Sequence, residues 1–497
     1  MVEKELMYNY KLFIPTAGIG SRVSNIARNM NKGLIGIDNK PVLSHIVEKF
    51  HPDVDIVVAL GYGGNYVRQY FEIVYPERNF EFVEIEKYEG EGTGLGLTVN
   101  ACRDYLQCPF VFVSNDTIFE EQLYFDEISY NWLGYSPIKA GSDYRSLSLD
   151  KDGNVLALND KIEDSEDYSY IGICGIKDYK EFWKYMKEKD SLSMGESYGI
   201  KKMLNDNWCS FNSFKFTWYD TGNESALITA KEKLKSKHQP NVLEKDNEAI
   251  WFANNKTIKF STNDKFISDR VMRTTYLSNY VPEVVDSSDN FYIYNFLKGD
   301  VLSKKVTSKR FEYLLSWLND FWKEVNLSKS EQNKFTKDCL KFYKQKTLDR
   351  IDLYYKKYDN IDVDEIVNDN KLEPLKNVLD RLDWDWISFG KPTRFHGDLH
   401  FENILINETI ISHDFINNNL YNFSRDMNDV YYDFHRKNTN IECEKILQKY
   451  VEQNNLDWKK VKVITALIFL NIAGLHHYPY CHLLYYLGRV MLTEEVK

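Results

Sequence analysis

The run FHGDLHFENILINETIISHDF, residues 395–415, carries three side chains whose types and order suit phosphoryl transfer. Moving a γ-phosphate onto an alcohol asks a protein for positioning, a carboxylate to steer the hydroxyl, and a divalent cation to absorb charge. Asp398, on a tight His-Gly-Asp loop, is placed to orient or accept the hydroxyl proton. Asn403 and, beyond a short hairpin, Asp414 offer the hard oxygens that Mg2+ prefers. The spacing predicts a strand over 404–406, a turn at 407–409 and a second strand over 410–412 ending at Asp414, which would bring Asp414 back beside Asn403. His396 and His400 form an H-x-x-x-H pair. With no HExxH core or third ligand nearby, they read as hydrogen-bonding loop residues ahead of a zinc site.

A second set of residues, near the start of the chain, suits a related chemistry. The apolar stretch 11–15 (KLFIP) runs into Thr16-Ala17-Gly18-Ile19-Gly20-Ser21-Arg22. A strand entering a glycine-rich loop lets backbone N–H groups approach a phosphate closely, and Arg22 adds a fork of donors. Neither the Walker A nor the GxGxxG fingerprint fits, because a GK[ST] ending is missing and the glycine spacing differs. Lys32 follows ten residues after Arg22, and KPVL at 40–43 opens a helix. Downstream, 54–60 (VDIVVAL) and 110–114 (FVFVS) read as buried strands, the second ending at Asn115-Asp116.

These N-terminal motifs resemble the signature of the sugar-phosphate nucleotidylyltransferases, usually AAGxGTR, then PK, then KP. The resemblance continues through the EGTG loop at 91–94 to WYDTGN at 218–223. It implies a Rossmann-like α/β/α nucleotidyltransferase domain over 1–238, in which Arg22 and Lys32 act as catalytic cations on a nucleoside triphosphate. By the same resemblance Ala17, Gly18, Gly20, Ser21, Gly92 and Thr93 bind the nucleotide, and Asp116 and Asp220 hold Mg2+. Lys161, Glu163 and Gly172 occupy the place where relatives contact the acceptor, though they could equally form a solvated hairpin. Two departures stand out: Asn31 where the family has Pro, and Asn115 where it has Gly or Ala.

HGDLHxxN followed by DF resembles the catalytic loop and metal-binding Asp of the aminoglycoside phosphotransferase and choline kinase family, relatives of the protein kinases. This implies a bilobal, kinase-like α+β domain over 245–497, with a small β-rich lobe at about 245–300 and a helical lobe at about 301–497. Asp398 would be catalytic, Asn403 and Asp414 would bind Mg2+, and Lys259, in the strand TIKF, would grip the phosphates of ATP. The helix after that strand offers Asp269 where kinases place a Glu.

The elements needed to position such residues are affordable in a chain of 497 residues that is 43% hydrophobic and 28% charged, enough for two or three globular domains. A charged, helix-forming exit at 230–240 followed by polar residues 241–247 marks the expected boundary. The net charge of −11 argues against a nucleic-acid partner held on a broad basic face. Seven scattered cysteines without CxxC spacing fit free thiols of a reducing compartment. A polar N-terminus shows no secretory signal and the longest apolar run, 463–475, is too short to span a bilayer, so no membrane insertion and a cytoplasmic location are expected. The expected function is bifunctional: ATP-dependent phosphorylation of a small hydroxyl compound, first choice a sugar, then transfer of NMP to that phosphate for surface-glycan synthesis. A choline, ethanolamine or polyol kinase fused to a cytidylyltransferase is the alternative, as is one domain serving only as a binding module.

Overall fold

A computed structural model describes residues 8–23, 29–161, 167–206, 209–236, 247–397, 399–407, 414–417, 428–429 and 441–496. The chain divides into two compact units: residues 1–267 with 284–296, and residues 268–283 with 297–497.

The first unit is built on a mixed sheet. Strands β1 (Lys11–Pro15), β2 (Ile56–Leu60), β3 (Phe80–Glu84) and β4 (Phe110–Val113) run parallel, in the order β4-β1-β2-β3. β1, β2 and β4 are near-continuous apolar runs because both of their faces are covered. Leu12, Ile56, Val58 and Val111 point into one core with helices α1 (Val42–Val47) and α2 (Gly64–Val74). Phe13, Val57, Ala59 and Phe112 point into the other, with α3 (Leu95–Ala101), α4 (Tyr179–Met186) and α5 (Glu196–Leu204). The result is the three-layer α/β/α arrangement expected from sequence.

Beyond β4 the sheet turns antiparallel. A short β5 (Thr117–Phe119) follows β4, and then β6 (Asn131–Lys139), β7 (Ser146–Leu149), β8 (Val155–Asn159) and β9 (Tyr168–Ile176), with β9 antiparallel to β4. β10 (Phe211–Lys215) adds to β6, and β11 (Trp218–Asp220) pairs antiparallel with β5 before α6 (Glu224–Leu234). The chain leaves β1 toward β2 and β3 on one side and returns to β4 on the other. That switch of direction opens a crevice at the strands' carboxyl ends, between the loops after β1 and β4.

Composition marks a boundary near 239–244, yet the strands that follow pack into this same unit. β12 (Glu248–Ala253), β13 (Lys256–Ser261), β14 (Asp286–Ser287) and β15 (Phe291–Asn295) form a small antiparallel sheet. One face of it, with Trp251, Ile258, Phe260, Phe291 and Ile293, belongs to the core that α2 also fills. Tyr66 of α2 meets Phe260 edge-on at 5.1 Å, and Tyr70 meets Trp251 at 5.8 Å. Buried Gln69 accepts from Ser288 Oγ (2.8 Å) and Asn290 N (3.0 Å) and donates to Asn290 Oδ1 (3.1 Å), so its amide is satisfied from the opposing sheet.

The second unit is mainly helical. It includes most of α7 (Asp264–Tyr276), then α8 (Ser308–Phe321), α9 (Lys329–Leu340), α10 (Lys346–Tyr358), α11 (Ile441–Gln453), α12 (Trp458–Ala473) and α13 (Tyr480–Val496). The apolar run at 463–475 is a buried helix, as read, and among the described residues no helix is long and apolar enough to cross a membrane. The aromatic stripes act as core: Tyr354 of α10 stacks on Tyr485 of α13 at 4.4 Å.

One expectation is corrected in this unit. Strand Ile404–Asn407 does form, but it pairs with Asp414–Asn417 in a register that sets Asn407 opposite Asp414 and Ile404 opposite Asn417. Asp414 therefore begins the second strand and stands at the far end of the ladder from Asn403, about 13 Å along a strand that rises about 3.3 Å per residue. Residues 408–413, with the expected strand at 410–412, lie outside the described residues. The pairing matches Leu405 with Ile416 and Ile406 with Phe415. Two apolar dipeptides, Leu405-Ile406 and Phe415-Ile416, are what this register sets opposite each other.

If the small sheet is integral to the first unit's core, Trp251→Ala, at a site 2% exposed, should cost about 3–5 kcal/mol in chemical denaturation, as for other buried aromatics. A loss below about 1 kcal/mol would mean that the sheet is an appendage.

Candidate active site

The crevice between β1 and β4 opens into a cleft of about 880 Å3. Ala17, Gly18, Arg22, Lys32, Thr93, Asp116, Lys161, Gly172 and Asp220 all line it. These residues span two hundred positions in sequence, and the fold brings them to one concavity. Gly20, Ser21 and Gly92 sit in the flanking loops but not on its wall, and Glu163 lies outside the described residues.

At the centre are the two carboxylates. Asp116 follows β4 by three residues, and Asp220 ends β11, where it pairs with Thr117. Thr221 locks the two segments together, its N–H and its hydroxyl both donating to Asp116 O at 2.9 Å. Gly222 lies over the pair: a Cβ there would stand 3.0 Å from Asp220 Oδ1 and 3.1 Å from Asp116 Oδ2. Both oxygens thus face one point, and no side chain other than glycine's leaves it open.

The neighbours divide the pair electrostatically. Burial would raise the Asp116 carboxyl, but Lys32 Nζ, donating to its Oδ2 at 2.8 Å, and Ser114 Oγ, donating to Oδ1 at 2.5 Å, overcome that and hold it at about 2. Asp220 is raised, first by burial and further by the Asp116 charge, against the opposing hydrogen bonds of Gly222 N–H (2.8 Å) and Tyr144 OH (2.9 Å). Two hard carboxylates facing one point fit Mg2+, which commonly takes one or two protein carboxylates and completes its shell with water and phosphate oxygens. Among the described residues no group of three or more His, Cys, Asp or Glu gathers as a metal cluster.

The cations are positioned from behind. Asn31 caps the single 3-10 turn Lys32–Leu34, its Oδ1 accepting from Gly33 N at 2.9 Å. Its Nδ2, fully buried, donates to Thr16 O and Tyr62 O, both at 2.7 Å. One amide therefore ties together the loop after β1, the loop after β2 and the turn that presents Lys32. Gly20, at φ +71°, packs where a Cβ would come within 3.1 Å of the Lys32 stem. Gly18 has nothing within 4 Å of such a Cβ and leaves its backbone open to the cleft. Arg22 stands exposed at the rim.

Gly172 faces the same floor at φ +73°, its carbonyl accepting from Ser114 N at 2.8 Å. A Cβ there would strike Ser114 Cβ at 2.9 Å, beside the group that holds Asp116. Thr93 closes a turn through Gly90 O, with its hydroxyl at 2.7 Å, and Gly92 supplies a positive φ within it. Sequence reasoning passed over Asn31, Ser114, Tyr144, Arg145 and Glu196. Asn31 had been visible as a departure; the others carry no local signal.

In the second unit Arg273 donates to Phe395 O and His396 O, both at 2.7 Å, and Asn403 is buried with its amide 2.9 Å from His400 Nε2. Asp398 lies outside the described residues, and so does the side chain of Asp414. Lys259 is buried in mid-strand β13, between Ile250 and Tyr292.

No family model matches the chain. The Bifunctional protein GlmU of Methanocaldococcus jannaschii is 25% identical over 240 residues, covering 47% of this chain and 56% of that protein. The Bifunctional protein GlmU of Methanococcus vannielii is 30% identical over 152 residues, 30% of this chain and 35% of its own length. The chain thus spans about half or less of the curated relatives it matches. Among solved structures, CTP:phosphocholine cytidylyltransferase from Streptococcus pneumoniae aligns at 15% identity and a TM-score of 0.39, over 46% of this chain and all of that one. The N-terminal part resembles sugar nucleotidyltransferases.

Asn31→Ala would remove three hydrogen bonds made by a buried amide, so a loss of about 2–4 kcal/mol in chemical denaturation is expected. A change under about 0.5 kcal/mol would show that Asn31 is dispensable to the loops.

Proposed function

We propose that the first unit is a sugar-phosphate nucleotidylyltransferase, a reading carried by the convergence of Asp116 and Asp220 on one point beside Lys32. In this reaction a phosphate oxygen of the acceptor attacks the α-phosphorus of an NTP, the bond to the β-phosphate oxygen breaks, and pyrophosphate leaves. Two polyanions must meet, so the site needs positive charge more than it needs a base. Asp116 and Asp220 would hold Mg2+, which supplies charge screening at the α-phosphate. Lys32, on a flexible stem, moves between Asp116 and the triphosphate, and Arg22 adds a bidentate donor at the rim. The loop from Ala17 to Gly20 offers backbone N–H groups, and the turn carrying Thr93 borders the base. The product is an activated nucleotide compound of the kind a glycosyltransferase consumes.

Support for this reading comes from the cleft and from the N-terminal likeness to sugar nucleotidyltransferases. Lys32→Met and Asp116→Asn should each lower NTP- and Mg2+-dependent pyrophosphate release by about 100-fold or more while the fold is kept. Retention of near-wild-type release by both variants would rule the site out.

A second reading concerns the second unit, where Arg273 fixes the two carbonyls just before Gly397-Asp398 and Asn403 lies buried beside His400. We infer from this and from the HGDLHxxN motif an ATP-dependent phosphotransferase activity, with Asp398 orienting the acceptor hydroxyl and Asn403 as a cation ligand. It would supply the phosphate compound that the first unit consumes. Asp398→Ala should abolish ADP formation and leave pyrophosphate release from a supplied phosphate intact; loss of both together in a folded protein would refute this division of labour.

A further inference from the structure

The cleft holds polar atoms that the reaction above does not use. Glu196, the first residue of α5, is 3% exposed and still lines the cleft. Gly195 turns the chain into the helix at φ +75°, so the Glu196 side chain arrives at the helix N-terminus, where a carboxylate is favoured. Its Oε1 lies 3.5 Å from the hydroxyl of Tyr170, itself buried. Its Oε2 is buried and, among the described residues, has no hydrogen-bond partner. Arg145 is the cation beside it, held on its other side by Asp160 at 3.7 Å.

Two donors in the same cleft share that condition. Asn115 Nδ2 and Trp218 Nε1 are buried with no hydrogen-bond partner among the described residues. A buried polar atom left unpaired is unfavourable, so a cleft with one such acceptor and two such donors is complementary to a ligand that fills them. Hydroxyl groups do so, because each donates one hydrogen bond and accepts others. A trimethylammonium group can do neither, and would seal these atoms off unpaired.

We infer that Glu196 is the specificity-determining carboxylate of the acceptor subsite, its free oxygen accepting a hydrogen bond from a hydroxyl of a polyhydroxylated phosphate compound. The inference rests on the nucleotidyl-transfer reading of the same cleft and narrows its acceptor. Tyr170 positions the carboxylate through its hydroxyl.

The test uses the full chain, with pyrophosphate release measured for each NTP against a panel of hexose 1-phosphates, glycerol 3-phosphate and phosphocholine. Wild-type protein should use a hydroxyl-rich acceptor and reject phosphocholine. Glu196→Gln should raise the KM for that acceptor about tenfold or more, with the KM for NTP changed less than about twofold. Tyr170→Phe, which keeps the ring's packing, should shift the acceptor KM in the same direction by a smaller factor, and it stands in if Glu196→Gln does not fold. Equal movement of both KM values, movement of neither, or preference for phosphocholine would overturn the role of Glu196 and leave nucleotidyl transfer standing. Absence of release from folded wild-type protein with every acceptor would overturn both.

Discussion

Two carboxylates aimed at one point repel each other, and much of the first unit is arranged so that this repulsion can be borne. At an effective dielectric of about 20, two unit charges roughly 6 Å apart oppose each other by about 3 kcal/mol. The protein answers asymmetrically. Lys32 and Ser114 are given to Asp116, which stays ionised to about pH 2, while Asp220 has neutral donors only and is raised. Pushing the members of a titratable pair apart in this way is a common feature of reactive sites. It also leaves the site ready for a cation, whose charge would favour the ionised form of both carboxylates.

The same constraint explains where the glycines fall. Gly222 keeps the point between the carboxylates open, Gly172 lets β9 approach the Ser114 that holds Asp116, and Gly20 makes room for the stem of Lys32. Each is where backbone must pass close to a charged group, and two of the three require a positive φ. The small sheet from β12 to β15 has a different task. Helix α2 has apolar residues on more of its surface than the main sheet can cover, and half-buried Tyr66 and buried Tyr70 pack against Trp251, Phe260 and Phe291. The first unit's core therefore depends on residues that follow a polar, charged link.

That dependence was illegible in the sequence for a physical reason. Composition reports where the chain is solvated, and residues 241–247 are polar, but it does not report which surface an alternating strand will cover. The parallel strands were legible because double burial writes them as unbroken apolar runs, and the ends of β1 and β4 carried their chemistry in motifs of fixed spacing. Arg22, Lys32, Asp116, Asp220 and Gly172 could be picked out in that way. Tyr144, Arg145 and Glu196 could not, because each reaches the cleft from a loop or helix start whose local sequence resembles any other turn. The hairpin after Asn403 failed differently. IIS and FIN are equally apolar candidates for the second strand, and a period of two has no means of choosing between them.

Asn31 shows how a departure from a motif can be read as a substitution of mechanism. A proline before the lysine would stiffen the turn by fixing φ, at the cost of an N–H. Asparagine has no such constraint, yet here it occupies φ −64° and ψ 140°, close to the proline region, and holds that conformation with three hydrogen bonds. The rigidity has been moved from the ring to the side-chain amide. The exchange brings a linkage that proline could not provide, because the amide joins the loops after β1 and β2 to the lysine turn. Displacing Lys32 from Asp116 then changes only the lysine's flexible stem, while the backbone beneath it stays fixed to the loop after β1.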